Sequence, residues 1–260
     1  MKAPDEEVPV RFSVEDGVAL ITLNRPARRN AIDLATAIAL GDCLDELDAR
    51  DDLVVGVITG EGGTFSAGMD LKALAATGQR PIVEGRGAFG VCERSADKPL
   101  VAAVEGHALG GGFEIALACD LIVAAESATF GLPEVTRGLA AAAGGAIRLP
   151  QRIPYGHAME LILTGAPLSA ERAHALGLVN HLTEAGGALE AALALARRIA
   201  VNAPLAVKMS KLVVRAAQGV TVAEAFAAQA PLMNVIRASD DAREGAQAFV
   251  EKRAPVWSGR

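Results

Sequence analysis

The chain has 260 residues, 51% of them apolar by type, and its 25 basic and 31 acidic side chains leave a formal charge of −6. That length suits one large domain, or one domain with an appendage, and it is enough to bury a sizeable core. The longest stretch without a charge, residues 225–236, is short of the roughly 18 residues of a membrane-spanning helix, and an acidic chain with one Trp and one Tyr offers no basic, aromatic face for nucleic acid. The N-terminal segment carries Asp5, Glu6 and Glu7 where a targeting peptide would be basic or long and apolar. Cys43, Cys92 and Cys119 lie far apart among apolar neighbours, with no His at metal-ligand spacing. They predict buried thiols in a reducing, cytoplasmic setting and no metal site.

Residues 10–14 and 18–23 are apolar, β-branched runs around Glu15-Asp16-Gly17, a hairpin signal. Asp33 opens a helix to about residue 49, with Leu40, Leu44 and Leu47 on one face. A buried strand over 53–59 runs into Gly60, Gly62 and Gly63, and a short helix begins near Asp70. Residues 100–104 predict a strand, 107–119 a glycine-led helix, 121–125 a strand again, and 128–130 is strand-like. Such near-continuously apolar strands are expected where both faces of a sheet are covered. Gly144-Gly145 marks a further helix start. Beyond Pro150 the pattern turns helical, over 155–163, 170–175, 189–200, 204–217, 221–236 and 240–253, with 178–179 the one strand. Ser169, Thr221 and Ser239 stand at N-cap positions. The chain therefore reads as α/β, with a core over 1–199 and a helical region over 200–260. Those helices need a surface to pack on, in the same chain or in a neighbour.

Four features carry chemistry. Gly110-Gly111-Gly112, at a helix start, exposes backbone N–H groups to which an anionic oxygen can come close. Glu114, the only carboxylate between Gly106 and Cys119, sits in an otherwise apolar helix, where a charge is costly unless paired or used. Taken alone, it is equally explained as a first-turn acid favoured by the helix dipole. Glu134, after Pro133, reads alone as an ordinary surface helix start. The segment Gly62 to Asp70 is a second glycine-punctuated strand exit leading into a helix. Two N–H sites and two carboxylates make, in outline, an oxyanion hole and an acid/base pair.

The motifs, in order, resemble those of the crotonase superfamily, and of its enoyl-CoA hydratases in particular. They are Leu23-Asn24-Arg25-Pro26, Phe65-Ser66-Ala67-Gly68-Met69-Asp70-Leu71-Lys72, the run from Lys98 to Gly112, Cys119-Asp120-Leu121-Ile122, Phe130-Gly131-Leu132-Pro133-Glu134, Leu163-Thr164-Gly165, and Ala248 to Arg253. The resemblance implies a spiral of ββα turns followed by C-terminal helices that assemble homotrimers, often paired as hexamers. It implies an acyl-CoA thioester substrate whose carbonyl is held by the N–H groups of Met69 and Gly111, with Glu114 and Glu134 as the hydratase carboxylates. Coenzyme A is then part of the substrate, and no separate cofactor is needed. Arg28, Ala67 and Lys72 match positions that contact CoA, and Arg29 stands beside them. Phe249 and Lys252 match residues that reach a neighbouring subunit's CoA. Each of these basic residues is also explained as a solvated surface charge.

Two glutamates favour hydration over isomerisation, because adding water needs one group to take a proton and another to supply one. Where the family's hydratases carry Pro-Gly-Ala-Gly-Gly, this chain has Ala141-Ala142-Ala143-Gly144-Gly145, so Ala142 replaces a glycine near the catalytic water. The expected reaction is the hydration of a trans-2-enoyl-CoA to a 3-hydroxyacyl-CoA. The alternatives are a Δ3,Δ2-isomerase, decarboxylase or hydrolase of the same superfamily, or a non-catalytic acyl-CoA-binding relative. Residues 76–96 match the variable wall of the acyl pocket, with Phe89 and Val91 as lining.

Overall fold

The computed structural model describes residues 8–260; the acidic segment ahead of Val8 lies outside the described residues. Strands β1 (Val10–Glu15) and β2 (Val18–Leu23) form the expected hairpin. Its two turn residues, Asp16 and Gly17, both have positive φ, the turn that matches strand twist. A 3₁₀ turn (Pro26–Arg28) leads to α1 (Leu34–Ala49), capped by Asp33, whose side chain accepts the Thr36 N–H at 2.9 Å. There follow β3 (Val55–Gly60), α2 (Leu71–Thr77), and a small ribbon of β4 (Ile82–Val83) and β5 (Gly87–Ala88). The next turns comprise β6 (Leu100–Val104), β7 (His107–Leu109), α3 (Gly111–Ala118), β8 (Leu121–Ala125) and β9 (Thr129–Gly131). After a 3₁₀ turn (Pro133–Arg137) come α4 (Gly145–Arg152), α5 (Tyr155–Thr164), β10 (Leu168–Ser169), α6 (Ala170–Ala175) and β11 (His181–Thr183). Four helices close the chain: α7 (Ala188–Ala200), α8 (Pro204–Ala216), α9 (Val222–Ala238) and α10 (Asp240–Glu251).

The main sheet runs β1-β2-β3-β6-β8-β11, parallel except for the first hairpin, and β10-β9-β7 forms a second sheet. A strand of the large sheet, then a strand of the small one, then a helix is the ββα turn that the resemblance implies. The apolar runs follow from two covered faces. Leu100, Ala102 and Val104 join Leu40, Leu44 and Leu47 of α1 in one core, while Val101 and Ala103 meet Ala192 and Ala196 of α7 in the other.

Two sequence expectations need correction. The helix expected over 107–119 begins only at Gly111, because His107–Leu109 pairs in parallel with β9 and Gly110, at φ 53, breaks the strand from the helix. The strand expected at 178–179 lies instead at His181–Thr183. The N–H groups of Leu178 and Val179 turn back to the Ala173 carbonyl, and Asn180 then joins Ile122 through its N–H and its side-chain oxygen. Burial made that pair strand-like in sequence; the end of α6 claims its hydrogen bonds.

Charged side chains dock α8 on the spiral. Lys211 has a side chain 7% exposed, pairs with Asp120 at 2.6 Å and donates to the Lys98 carbonyl at 2.7 Å. Asp120 also accepts the Leu100 N–H at 2.7 Å, and Arg215 donates to the Ala96 carbonyl at 3.0 Å. By contrast α9 and α10 present Val222, Phe226, Phe249 and Val250 to solvent. Removing one partner of a buried ion pair leaves the other uncompensated. Lys211→Met should therefore destabilise the protein by up to about 3 kcal/mol, the low end of that effect because Asp120 is only partly buried. Denaturant unfolding of the variant beside Asp120→Asn and the double mutant checks this, the double being less destabilised than the sum of the singles.

Candidate active site

The site begins where two chain segments cross. Ser66 forms a parallel bridge with Ala108: its N–H donates to the His107 carbonyl at 2.9 Å, and its carbonyl accepts from Leu109 at 3.0 Å. The Ser66 hydroxyl donates to the Asn30 carbonyl at 2.7 Å and accepts the Gly68 N–H at 3.1 Å. Glycines make the crossing tight. A Cβ on Gly68, at φ 88, would come within 2.9 Å of the Gly111 nitrogen, and one on Gly112 would strike Ser66. Met69, which follows Gly68, and Gly111, the first residue of α3, therefore sit side by side. Among the described residues neither N–H has a hydrogen-bond partner. For Gly111 this is the ordinary state of a first-turn donor.

Both carboxylates arrive at the same place. Glu114, one turn into α3 and 3% exposed, accepts the Ala143 N–H at 2.8 Å and the Gly145 N–H at 2.9 Å on a single oxygen. Gly145 permits this approach, since a Cβ there would come within 3.1 Å of the Glu114 carboxylate. Ala142 is exposed, and the two donors to Glu114 come from the residues after it. Glu134 enters from the first turn of the 3₁₀ segment and lies against Gly110, where a Cβ would be 3.1 Å from its Oε1. Its Oε2 is buried without a hydrogen-bond partner. Buried polar atoms are nearly always paired, so the unpartnered carboxylate oxygen of Glu134, on a side chain packed against Gly110, marks the start of α3 as the candidate site.

Burial pushes the Glu114 carboxyl above the usual range; the Gly145 and Ala143 N–H groups oppose this, and the charge of Glu134 adds to it. Burial likewise raises Glu134, against the opposing pull of its own backbone N–H and of the Arg137 charge. A groove of about 940 Å³ between α8 and the C-terminal end of α3 contains neither glutamate. Its walls, which include Asp120, Lys211 and Arg215, belong to the docking of α8.

Of the expected CoA-contacting residues, three gather beside Met69. Ala67 is exposed and donates its N–H to the Arg29 carbonyl at 3.0 Å; Arg28 lies 3.8 Å from Asp70; exposed Lys72 is in the first turn of α2. Phe249 and Lys252 stay exposed at the far end of α10, which packs on α9. Sequence reasoning missed the residues that hold the Met69 loop. Buried Asn30 donates to the Glu61 and Thr64 carbonyls at 2.9 and 2.8 Å. Arg25 pairs with Asp33 at 2.8 Å and with Asp70 at 3.0 Å, and Asp70 caps α2. Burial alone would raise the Asp70 carboxyl, but the Ala73 N–H and the Arg25 guanidinium hold it below the ordinary value. Part of the signal was present as Asn24-Arg25-Pro26, but Asp70 and the Glu61 and Thr64 carbonyls come from beyond α1, in the next stretch of the spiral.

The enoyl-CoA hydratase/isomerase family model matches residues 13–260. The chain belongs to the enoyl-CoA hydratase/isomerase family. It is 52% identical to an enoyl-CoA hydratase structure from Mycobacterium tuberculosis H37Rv, with 98% of this chain and all of that one covered and a TM-score of 0.95. An enoyl-CoA hydratase structure from Mycobacterium marinum is 54% identical at the same coverage and TM-score. A carnitinyl-CoA dehydratase from Salmonella typhi is 45% identical over 250 residues, 92% of this chain and 94% of that protein. The fold is thus the crotonase-type α/β spiral with a C-terminal helical region, and membership supports a hydratase-type lyase reaction on an acyl-CoA. Among the described residues no helix is long and apolar enough to cross a membrane, and no three His, Cys, Asp or Glu side chains cluster to hold a metal ion. The three thiols are buried, and desolvation raises Cys43 and Cys119 to about 12.

The raised carboxyl of Glu134 has a consequence for stability. In acid both the folded and unfolded states hold its proton, and Gln in its place changes little. As pH rises past the unfolded carboxylate range, about 4.3, the unfolded chain ionises freely while the folded chain bears the cost. Glu134→Gln should melt higher than wild type at neutral pH, with the advantage shrinking toward pH 4. Glu114→Gln should shift in the same direction, since burial raises that carboxyl too despite its two N–H donors. Thermal melts across pH 4–8 check both.

Proposed function

We propose that the protein hydrates a trans-2-enoyl-CoA to the 3-hydroxyacyl-CoA. The observation that carries this reading is the pairing of buried Glu114 with half-buried Glu134 around Gly110 and the start of α3, where the Gly111 N–H is unpaired. The thioester carbonyl oxygen accepts from these two N–H groups, which makes C3 electrophilic and stabilises the enolate-like charge as it develops. Glu114 and Glu134 hold one water between them. Glu114, whose carboxylate is stabilised by two backbone donors, takes the proton as the water oxygen bonds to C3. Glu134, whose Oε2 has no hydrogen-bond partner and whose carboxyl burial holds above the ordinary range, supplies the proton to C2. Transfer of the proton from Glu114 back to Glu134 restores the pair, which titrates as one unit. Arg28, Ala67 and Lys72 are proposed to contact the CoA moiety beside Met69. Residues 1–199 carry this chemistry in the proposal, and 200–260 assemble a homotrimer or hexamer in which Phe249 and Lys252 reach a neighbour's CoA.

The relatives favour a second reading of the same step. A carnitinyl-CoA dehydratase 45% identical to the chain suggests a substrate with a trimethylammonium group on C4, run in either direction. Assays of crotonyl-CoA beside its 4-trimethylammonio analogue, with products identified by mass, decide between them.

Glu114→Gln and Glu134→Gln should each slow hydration by about 10²-fold or more, the scale of losing positioned acid–base help. Hydration of crotonyl-CoA at a near wild-type rate by either variant would refute the two-carboxylate mechanism. A wild type that moves double bonds without adding water would support the isomerase alternative. Sedimentation should find trimers or hexamers, and deletion after Asp240 should leave monomers or aggregates with weakened CoA binding. A fully active monomer after that deletion would overturn the proposed assembly.

A further inference from the structure

Phe89 has a backbone conformation that needs a reason. It lies at φ 57, in the left-handed region, within a turn where Gly85, Gly87 and Gly90 also have positive φ. A bulky non-glycine residue persists there only where its surroundings over-determine it. Several contacts do so. The Phe89 N–H donates to the Pro81 carbonyl at 2.7 Å. Gly90 is pressed on α1 so closely that a Cβ would strike the Ala37 carbonyl and come within 3.0 Å of the Gly41 nitrogen. Arg86, 2% exposed, pairs with Asp45 of α1 at 2.5 Å and donates to the Arg94 carbonyl at 3.1 Å. The turn is wedged in place, and the side chain it aims is 5% exposed.

That side chain lies on the oxyanion helix. A Cβ built on Gly111 would overlap the Phe89 ring at Cζ, Cε1 and Cε2. The ring therefore covers the Cα next to the N–H that, on the hydratase reading, holds the thioester oxygen. A carbonyl bound to that nitrogen places C1 one bond, and C2 two bonds, from the accepting oxygen. The ring thus stands beside the first carbons of the acyl group rather than its far end. We propose that Phe89 is a specificity-determining residue that excludes acyl-CoA thioesters branched at C2. A straight chain passes the ring, whereas a methyl on C2 competes with it for space. The wedge on α1 keeps the ring from yielding. This inference rests on the proposed placement of the thioester at Gly111, and it concerns binding rather than the hydration step.

Saturated thioesters test it without chemistry. Calorimetric titration would compare butyryl-CoA, 2-methylbutyryl-CoA and octanoyl-CoA on wild type, Phe89→Ala and Phe89→Leu. Wild type should prefer butyryl-CoA to 2-methylbutyryl-CoA, and Phe89→Ala should shrink that preference about tenfold or more, the scale of one methyl in a tight pocket. The octanoyl-to-butyryl ratio should stay unchanged. Should Phe89→Ala fail to fold by melting and sedimentation, Phe89→Leu decides, with the expected shift about threefold. No preference in wild type, an unchanged ratio in a folded variant, or a shift confined to octanoyl-CoA would each overturn the proposal. A wild type that discriminates as expected yet does not hydrate crotonyl-CoA would refute the hydratase reading and leave Phe89's role standing. Hydration without discrimination would do the reverse.

Discussion

The close approach of two backbones, at Ser66 and Ala108, is the contact on which the site depends. Strand order brings β3 and β6 together in the large sheet, and the segments leaving them then cross at this bridge. The approach is too tight for side chains, and Gly68 and Gly112 supply the room. With the carbonyls of Ser66 and His107 engaged across the bridge, the N–H groups of Met69 and Gly111 are left without partners. Those donors are a by-product of how the spiral closes, which is why such a fold can carry an oxyanion site without a dedicated side chain.

Around this crossing the two carboxylates are treated differently. Glu114 comes from inside the same helix that supplies Gly111, and the turn before α4 wraps it with two N–H donors. Glu134 arrives from the next turn of the spiral and meets Gly110 with one oxygen unpartnered. On the proposed hydratase reading, this difference in backbone donors separates a base from an acid in a pair of identical chemistry. The burial that raises both carboxyls makes them a cost to the fold at neutral pH.

The ribbon of β4 and β5 is where the proposed selectivity meets the proposed chemistry. Its turn is anchored on α1 through Gly41, Ala37 and Asp45, far in sequence from the glutamates, and it delivers the Phe89 ring to Gly111. A methyl added at Gly111 would therefore test the fit of Phe89 as much as the donor. The docking of α8 through Lys211 and Arg215 is a separate matter, since it fixes the C-terminal helices on the opposite end of α3.

Much of this was legible in the residues themselves. The hairpin at Asp16-Gly17, the N-caps Asp33, Asp70, Thr221 and Ser239, and the two-faced apolar strands are local or periodic signals, and they fall where the pattern put them. The glycine clusters and the two glutamates were visible as a list of parts, and their motif order pointed to the family. What sequence spacing could not supply was convergence. His107–Leu109 is a strand because β9, 22 positions on in register, pairs with it, and Leu178-Val179 is not one because α6 takes its hydrogen bonds. The partners of Arg25 and Asn30, the orphaned oxygen of Glu134 and the ring of Phe89 on Gly111 all join residues from different turns of the spiral. Local chemistry writes caps and strand faces into neighbouring residues, whereas a site built from backbone donors exists only once distant segments are packed against each other.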